Sequence, residues 1–113
     1  MLGSLSHAFG VLLRWLRDQQ GLGQREVAEA AGISQSKLAR LERGAGALAV
    51  DDVAPLASAL HVGPLELDRA ARLLHADPAR EDGSAGWPTR AVFAAWNNVS
   101  AAQLGLFAVE EAS

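Results

Sequence analysis

A four-residue turn constrains the fold of this chain more than any other feature. It reads AGIS at residues 31–34 and separates two short stretches in which apolar residues have helical spacing. Gly32 can end a helix in the left-handed conformation, because a glycine has no Cβ to clash there. Ser34 can cap the next helix, because its hydroxyl accepts a hydrogen bond from an N–H of the first turn. The sequence therefore predicts a helix over 24–31, a tight turn, and a second helix over 35–43.

The rest of the chain also favours helices. Its apolar residues recur at helical spacing, and its β-branched residues do not cluster into an alternating, strand-like run. A first helix is predicted over 6–20, with Ser6 as its N-cap. The inward face of this helix carries four large apolar residues, Phe9, Leu12, Leu13 and Leu16. The fold class that follows is all-α.

Two prolines locate the fourth and fifth helices. A proline has no N–H to donate and fits within the first turn of a helix. We therefore expect Pro55 near the start of the fourth helix, with Asp51 or Asp52 as the N-cap. Pro64 is expected to open a fifth helix that runs to about residue 74.

The composition changes after the fifth helix. The net charge is −3, which looks wrong for a partner of nucleic acid, but residues 1–75 carry equal numbers of basic and acidic side chains. The excess acid lies in the remainder, where 76–86 has the Gly, Pro and acidic residues of an exposed linker. The predicted organisation is a compact five-helix unit over 1–75, that linker, and a short C-terminal extension over 87–113. The extension can be helical, with Pro88 opening one helix and Ser100 capping another.

Several classes of function are disfavoured by composition. The chain has 113 residues, no cysteine and three histidines without metal-ligand spacing, so we expect neither a metal site nor a cofactor. No hydrolase constellation is visible, and an enzyme is not expected. The N-terminal stretch has no basic region, and Arg14, Arg17 and Asp18 interrupt its apolar residues. We therefore expect no signal peptide and no membrane segment, and we place the protein in the cytoplasm.

The outward face of the helix after the turn has the chemistry of a DNA-reading surface. Two short helices joined in this way have the dimensions of a helix-turn-helix, whose second helix enters the major groove. With Leu38 and Leu41 inward, the outward residues are Gln35, Ser36, Ala39, Arg40 and Arg43. Glutamine can pair with adenine, arginine with guanine, and alanine can touch a thymine methyl group.

The segment that carries these features resembles the phage-repressor or Xre type of helix-turn-helix domain. The resemblance covers roughly residues 9–74, about two thirds of the chain. Its marks include FG at 9–10, the GIS of the turn, and LERG at 41–44. The resemblance implies a five-helix, lambda-repressor-like domain that binds double-stranded DNA as a homodimer.

The resemblance also implies roles for individual residues. Residues at the start of the recognition helix and one turn later contact bases; here they are Gln35, Ser36 and Arg40, with Lys37 as a further candidate. The residues that meet phosphates are Gln24 and Arg43. The pair that supports the recognition helix without touching DNA is Arg17 and Glu42.

Two departures from the family pattern bear on affinity. Gly23 stands where the family prefers serine or threonine as the cap of the second helix. The loop over 45–49 contains no basic residue, although this loop often contacts the DNA backbone in the family. We therefore expect the affinity for DNA to depend on dimerisation.

These observations lead to one function and two alternatives. The leading hypothesis is a sequence-specific transcriptional regulator, a dimeric repressor that binds two half-sites about one helical turn apart. The first alternative is an antitoxin-like or other protein-interaction module, whose acidic, aromatic residues 87–113 bind a partner protein while DNA binding serves autoregulation. The second is a degenerate helix-turn-helix that binds only protein.

Overall fold

The structure, a computed structural model, describes residues 2–77 and 86–103, with side chains for residues 5–77 and 86–100. These residues form six α-helices: α1 (Leu2–Gln19), α2 (Gln24–Ala31), α3 (Gln35–Glu42), α4 (Val50–Ala59), α5 (Pro64–His75) and α6 (Thr89–Gln103). The prediction of an all-α, helix-turn-helix architecture is confirmed, and α2 has the predicted bounds.

A single leucine-rich core holds the helices together. α1 packs against α3, α5 and α6, while α2 packs against α3 and α4, and α4 packs against α5. The largest fully buried side chains are mostly leucines: Leu12, Leu13, Leu38, Leu41, Leu56, Leu60, Leu67 and Leu74. Truncating a buried leucine to alanine typically costs about 2–5 kcal/mol, so the orientation of α3 is firmly fixed by its two leucines.

The first helix begins earlier than predicted. It starts at Leu2, so Ser6 lies inside the helix and is not its N-cap. Ser6 is buried, and its Oγ accepts a hydrogen bond from the backbone N–H of Leu48 at 3.2 Å. A serine inside a helix is well tolerated when its hydroxyl has such a partner. The contact holds the loop that follows α3 against α1.

The fourth helix corrects the prediction for its cap. Its N-cap is Ala49, and both Asp51 and Asp52 lie in the first turn. Carboxylates in the first turn still interact favourably with the helix dipole, so they support the helix without capping it. Pro55 lies inside the helix, one turn later than expected, where its missing N–H leaves one carbonyl of the first turn without the usual helical bond.

The C-terminal extension is tied to the core through α6. This helix continues through Ser100, which is therefore not the cap of a separate helix. Its inward residues belong to the common core, together with the tryptophan that precedes it: Trp87, Ala91, Val92, Ala95 and Val99. Residues 78–85 of the predicted linker and residues 104–113 of the predicted extension lie outside the described residues. Within the described ranges, no helix is long and apolar enough to cross a membrane.

Candidate nucleic-acid interface

The turn between α2 and α3 is formed by the two residues from which it was predicted. Gly32 follows α2 with a φ of 74°, in the left-handed region, and the N–H of Ile33 donates to the carbonyl oxygen of Ala28 at 3.0 Å. Ser34 caps α3, with its Oγ accepting a hydrogen bond from the backbone N–H of Lys37 at 3.0 Å. Both helix ends are thus satisfied locally, which fixes the angle at which α3 leaves the turn.

The second helix lacks a side-chain cap but is stabilised from its third residue. The N-cap of α2 is Gly23, which has no side chain to offer. Glu26 compensates in part, because its carboxylate accepts a hydrogen bond from the Gly23 N–H at 2.9 Å.

A glycine in α1 sets how closely α3 approaches. A Cβ built at Gly10 would overlap the carbonyl oxygen of Leu41. The backbones of α1 and α3 therefore meet directly at this point, and any side chain at residue 10 would push α3 away from α1. The position of the candidate recognition helix depends on this contact.

The inner face of α3 holds a buried ion pair. Arg17 donates to both carboxylate oxygens of Glu42, Nε to Oε2 at 2.9 Å and Nη2 to Oε1 at 2.9 Å. The Glu42 side chain is only 3% exposed. The hydrogen bond to Glu42 raises the pKa of Arg17 above its ordinary value, so the arginine remains charged. A third bond runs from Arg17 Nη1 to the carbonyl oxygen of Leu22 at 2.9 Å, which joins the pair to the segment before α2.

Gln24, a predicted phosphate contact, lies in the same network. Its Nε2 donates to Glu42 Oε1 at 2.9 Å, and its side chain is half-buried. An amide nitrogen has two hydrogens, so one remains for another acceptor. The structure thus links the start of α2 to the end of α3 through Glu42, a contact that the sequence alone did not indicate.

The outer face of α3 is exposed to solvent. All four predicted base contacts are exposed there: Gln35, Ser36, Lys37 and Arg40. Arg43 is exposed at the C-cap, whereas Ala39 is half-buried. Beside this face lies a shallow depression of about 380 Å³, lined in part by Ser36, Arg40 and Gly46.

The cations of this face differ in their partners. Lys37 Nζ lies 2.9 Å from Oδ2 of Asp52, in the first turn of α4. Arg40 and Arg43 form no ion pair with any other residue of the described ranges. The sequence analysis did not predict the Lys37–Asp52 pair, because it assigned Asp51 or Asp52 as a helix cap.

Other basic residues are engaged within their own helices. Arg14, Arg25 and Arg72 each pair with a carboxylate one turn away. Exposed pairs of this kind contribute little to stability, but they reduce the positive field around the chain. In the part of the chain that the structure describes, no group of three histidine, aspartate or glutamate side chains could hold a metal ion.

Comparison with known proteins agrees with this architecture. A family model described as a helix-turn-helix domain matches residues 8–82. The crystal structure of the restriction-modification controller protein C.AhdI from Aeromonas hydrophila is similar, with 35% identity and a TM-score of 0.52. That match covers 55% of this chain and 94% of C.AhdI. No curated protein sequence matches the chain.

Two structures of the clp gene regulator ClgR from Corynebacterium glutamicum are also similar. One has 32% identity and a TM-score of 0.56, over 60% of this chain and 87% of that chain. The other has 25% identity and a TM-score of 0.55, over 95% of this chain and 90% of that chain. The family resemblance inferred from the motifs is confirmed. Because the family model spans more than half of the sequence, the chain belongs to the helix-turn-helix domain family.

Proposed function

We propose that the protein is a sequence-specific transcriptional regulator that reads double-stranded DNA with α3. The single observation that carries the proposal is the outer face of this helix. Gln35 and Ser36 lie on this face together with Arg40 and Arg43. Neither arginine has a carboxylate partner among the described residues. Polar side chains on an exposed helix of a helix-turn-helix are suited to base edges in the major groove.

The side chains of α3 have distinct tasks in this proposal. Gln35, Ser36 and Arg40 contact base edges, because they project from the first two turns of the helix. Arg43 contacts a phosphate at the end of the helix, and Gln24 uses its remaining amide hydrogen for another. The backbone N–H groups at the starts of α2 and α3 add to the phosphate contacts, since helix N-termini attract anions.

Two copies of the chain are needed for useful affinity. Non-specific binding to DNA depends on the cations that neutralise phosphates, and one copy offers few uncommitted cations beside α3. We propose a two-fold symmetric dimer whose recognition helices enter successive major grooves, about 34–36 Å apart.

An apolar groove is the surface that we assign to the dimer. It has a volume of about 600 Å³ and lies between the start of α1, the loop after α3, and the starts of α4 and α5. Val50 is 88% exposed and Leu65 is 56% exposed on this groove. Large exposed apolar patches are typical of interaction sites. Asp68 and Arg72 line this groove as an ion pair within α5, so they add no net charge to the apolar contact.

The dimer surface is tested by sedimentation of the full chain. Val50→Asp should shift the protein from dimer to monomer, because it would place a charge in the apolar contact. Leu73→Asp is the control, since Leu73 is also exposed but lies outside the groove. A dimer that persists in Val50→Asp and dissociates in Leu73→Asp would assign the interface to another surface.

The central experiment is selection of bound sequences from a random pool of duplex DNA, with the full chain. We expect enrichment of a sequence with two inverted half-sites, each read by one copy of α3. If no sequence is enriched, the proposed function is wrong.

The mode of action and the location follow from DNA binding. We propose repression, because a regulator that occupies a promoter blocks access of polymerase without further chemistry and needs no catalytic group. The protein would act in the cytoplasm, beside the DNA. A reporter placed behind the selected sequence should lose expression when the protein is produced, whereas increased expression would indicate an activator.

One observation favours the alternative of a protein partner bound through residues 87–113. Phe93 on α6 is largely exposed and makes a T-shaped contact with Trp15, with ring centroids 6.0 Å apart. An exposed aromatic residue on a helix is suited to a partner surface. If α6 serves a separate protein, Phe93→Asp should leave affinity for the selected DNA unchanged; weaker DNA binding would indicate a role for α6 in the dimer.

A further inference from the structure

We infer that Asp52, in the first turn of α4, lowers the affinity of the recognition helix for DNA by holding Lys37 in an internal ion pair. The inference rests on the proposed function, because it concerns the same DNA-reading face. It gives Asp52 a role in setting affinity, although this residue lies on a helix that does not itself read the DNA.

The geometry places the ion pair at the edge of the reading face. Lys37 lines the same depression beside α3 as Ser36 and Arg40, so its side chain starts on the side expected to face DNA. Its Nζ nevertheless lies 2.9 Å from Asp52 Oδ2, and the charge is directed towards α4. Lys37 is in position to contact a phosphate or a base, but in the absence of DNA it is already paired with Asp52.

Burial favours persistence of the ion pair. The Asp52 side chain is 15% exposed, whereas that of Lys37 is 44% exposed. Oδ2 of Asp52 is inaccessible to solvent, and Lys37 is the cation that neutralises it. A phosphate that took Lys37 away would leave a buried anionic oxygen without its cation, which is costly. The pair therefore offers DNA no net positive charge.

The neighbouring Asp51 provides a matched control. It lies in the same turn of α4 and carries the same charge, but it is exposed and forms no ion pair among the described residues. Asp51→Asn and Asp52→Asn change the net charge of the chain equally. Any difference between these variants in DNA binding therefore reports the contact with Lys37 rather than the overall field.

The experiment measures the dissociation constant for a random-sequence duplex as a function of salt, with the full chain. Each phosphate neutralised contributes about 0.9 to the slope of log K against log salt concentration. Asp52→Asn should steepen the slope by about that amount for each copy bound and raise affinity up to about eightfold per copy at ~0.1 M salt. Asp51→Asn should leave the slope unchanged.

A second variant tests the same inference from the other side. If Lys37 is neutralised by Asp52, Lys37→Gln should leave the slope of the wild type unchanged. In a Lys37→Gln background, Asp52→Asn should have no more effect than Asp51→Asn. Circular dichroism of each variant checks that the helices are retained.

Specific outcomes would overturn the inference. Equal slopes for Asp52→Asn and Asp51→Asn, or weaker binding by Asp52→Asn, would mean that Asp52 does not mask Lys37. A slope that falls by about 0.9 in Lys37→Gln would mean that Lys37 already contacts a phosphate. In these cases the wild type still binds duplex DNA and the proposed function stands. Failure of the wild type and all variants to bind duplex DNA would overturn both.

Discussion

The two faces of α3 hold their charges in opposite ways. On the inner face, Glu42 is buried and bound by both Arg17 and Gln24. On the outer face, Arg40 and Arg43 are exposed and form no ion pair within the described part of the chain. The inner charges are satisfied by the protein itself. On the outer face Lys37 is paired with Asp52, whereas Arg40 and Arg43 are left for a ligand. A helix of 8 residues thus separates the groups that stabilise the fold from those proposed to bind DNA.

The largest expected effect is a loss of stability caused by a substitution on the inner face of α3. Glu42→Gln should lower the free energy of unfolding by about 3–5 kcal/mol, because it removes the buried anion that binds Arg17 through both oxygens and leaves only the more distant, exposed Asp18. Thermal or chemical denaturation measures the loss. Glu29→Gln is the control, since Glu29 pairs with Arg25 on the exposed surface of α2 and should change stability by less than about 1 kcal/mol. Equal losses in the two variants would contradict the difference between the faces.

A substitution at the contact between α1 and α3 should lower the stability of the fold almost as much. Gly10→Ala is expected to destabilise the fold by about 1–3 kcal/mol, because the added Cβ would overlap the Leu41 carbonyl oxygen. Gly46→Ala is the matched control: its added Cβ would meet its neighbours at 3.6 Å, an ordinary contact. Denaturation of the two variants compares them directly. A Gly10→Ala variant as stable as Gly46→Ala would show that α3 can move without cost.

On the outer face, the effect should appear in recognition instead of stability. Arg40→Ala should weaken binding to the selected DNA by about 1–3 kcal/mol and relax the preference at one base pair of each half-site. Its stability should stay within about 0.5 kcal/mol of the wild type, because an exposed side chain without a partner contributes little to folding. Titration against the selected sequence and its single-base variants tests this. Unchanged preference at every position would remove Arg40 from the base contacts.

The smallest effect separates phosphate contact from base contact. Arg43→Ala should weaken binding to all sequences alike and reduce the salt slope by about 0.9 for each copy bound. Arg25→Ala serves as the control, because Arg25 is paired with Glu29 and should leave the slope unchanged. Loss of binding by Arg43→Ala at only some sequences would assign Arg43 to a base instead.

The local structure of the helix-turn-helix could be predicted from the sequence, because the residues that end and begin its helices act through local contacts. Gly32 and Ser34 end one helix and begin the next through contacts within a few residues, and α2 and α3 begin where predicted. The wrong prediction for the start of α1 concerns a position where a distant partner decides. Serine is a residue type that often caps helices, but the Ser6 hydroxyl accepts a hydrogen bond from the N–H of Leu48, which lies 42 positions away.

Only part of the candidate site could be predicted from the sequence, for the same reason. The family resemblance suggested the pairing of Arg17 with Glu42, because both belong to a recurring motif. The pattern gave no indication that Gln24 also binds Glu42, or that Lys37 binds an aspartate of α4. These contacts join different helices, and their distances depend on how the helices pack.

The sequence by itself determined that the chain is helical, where the central turn lies, and which polar residues of α3 face outward. Those properties depend on backbone conformation and on the periodicity of apolar residues, which are encoded within a few positions. Only the tertiary structure decided which outward cations remain unpaired, and that α6 joins the core through residues such as Val92. Ion pairing and burial depend on distances between side chains of separate helices, which exist only once the helices have packed.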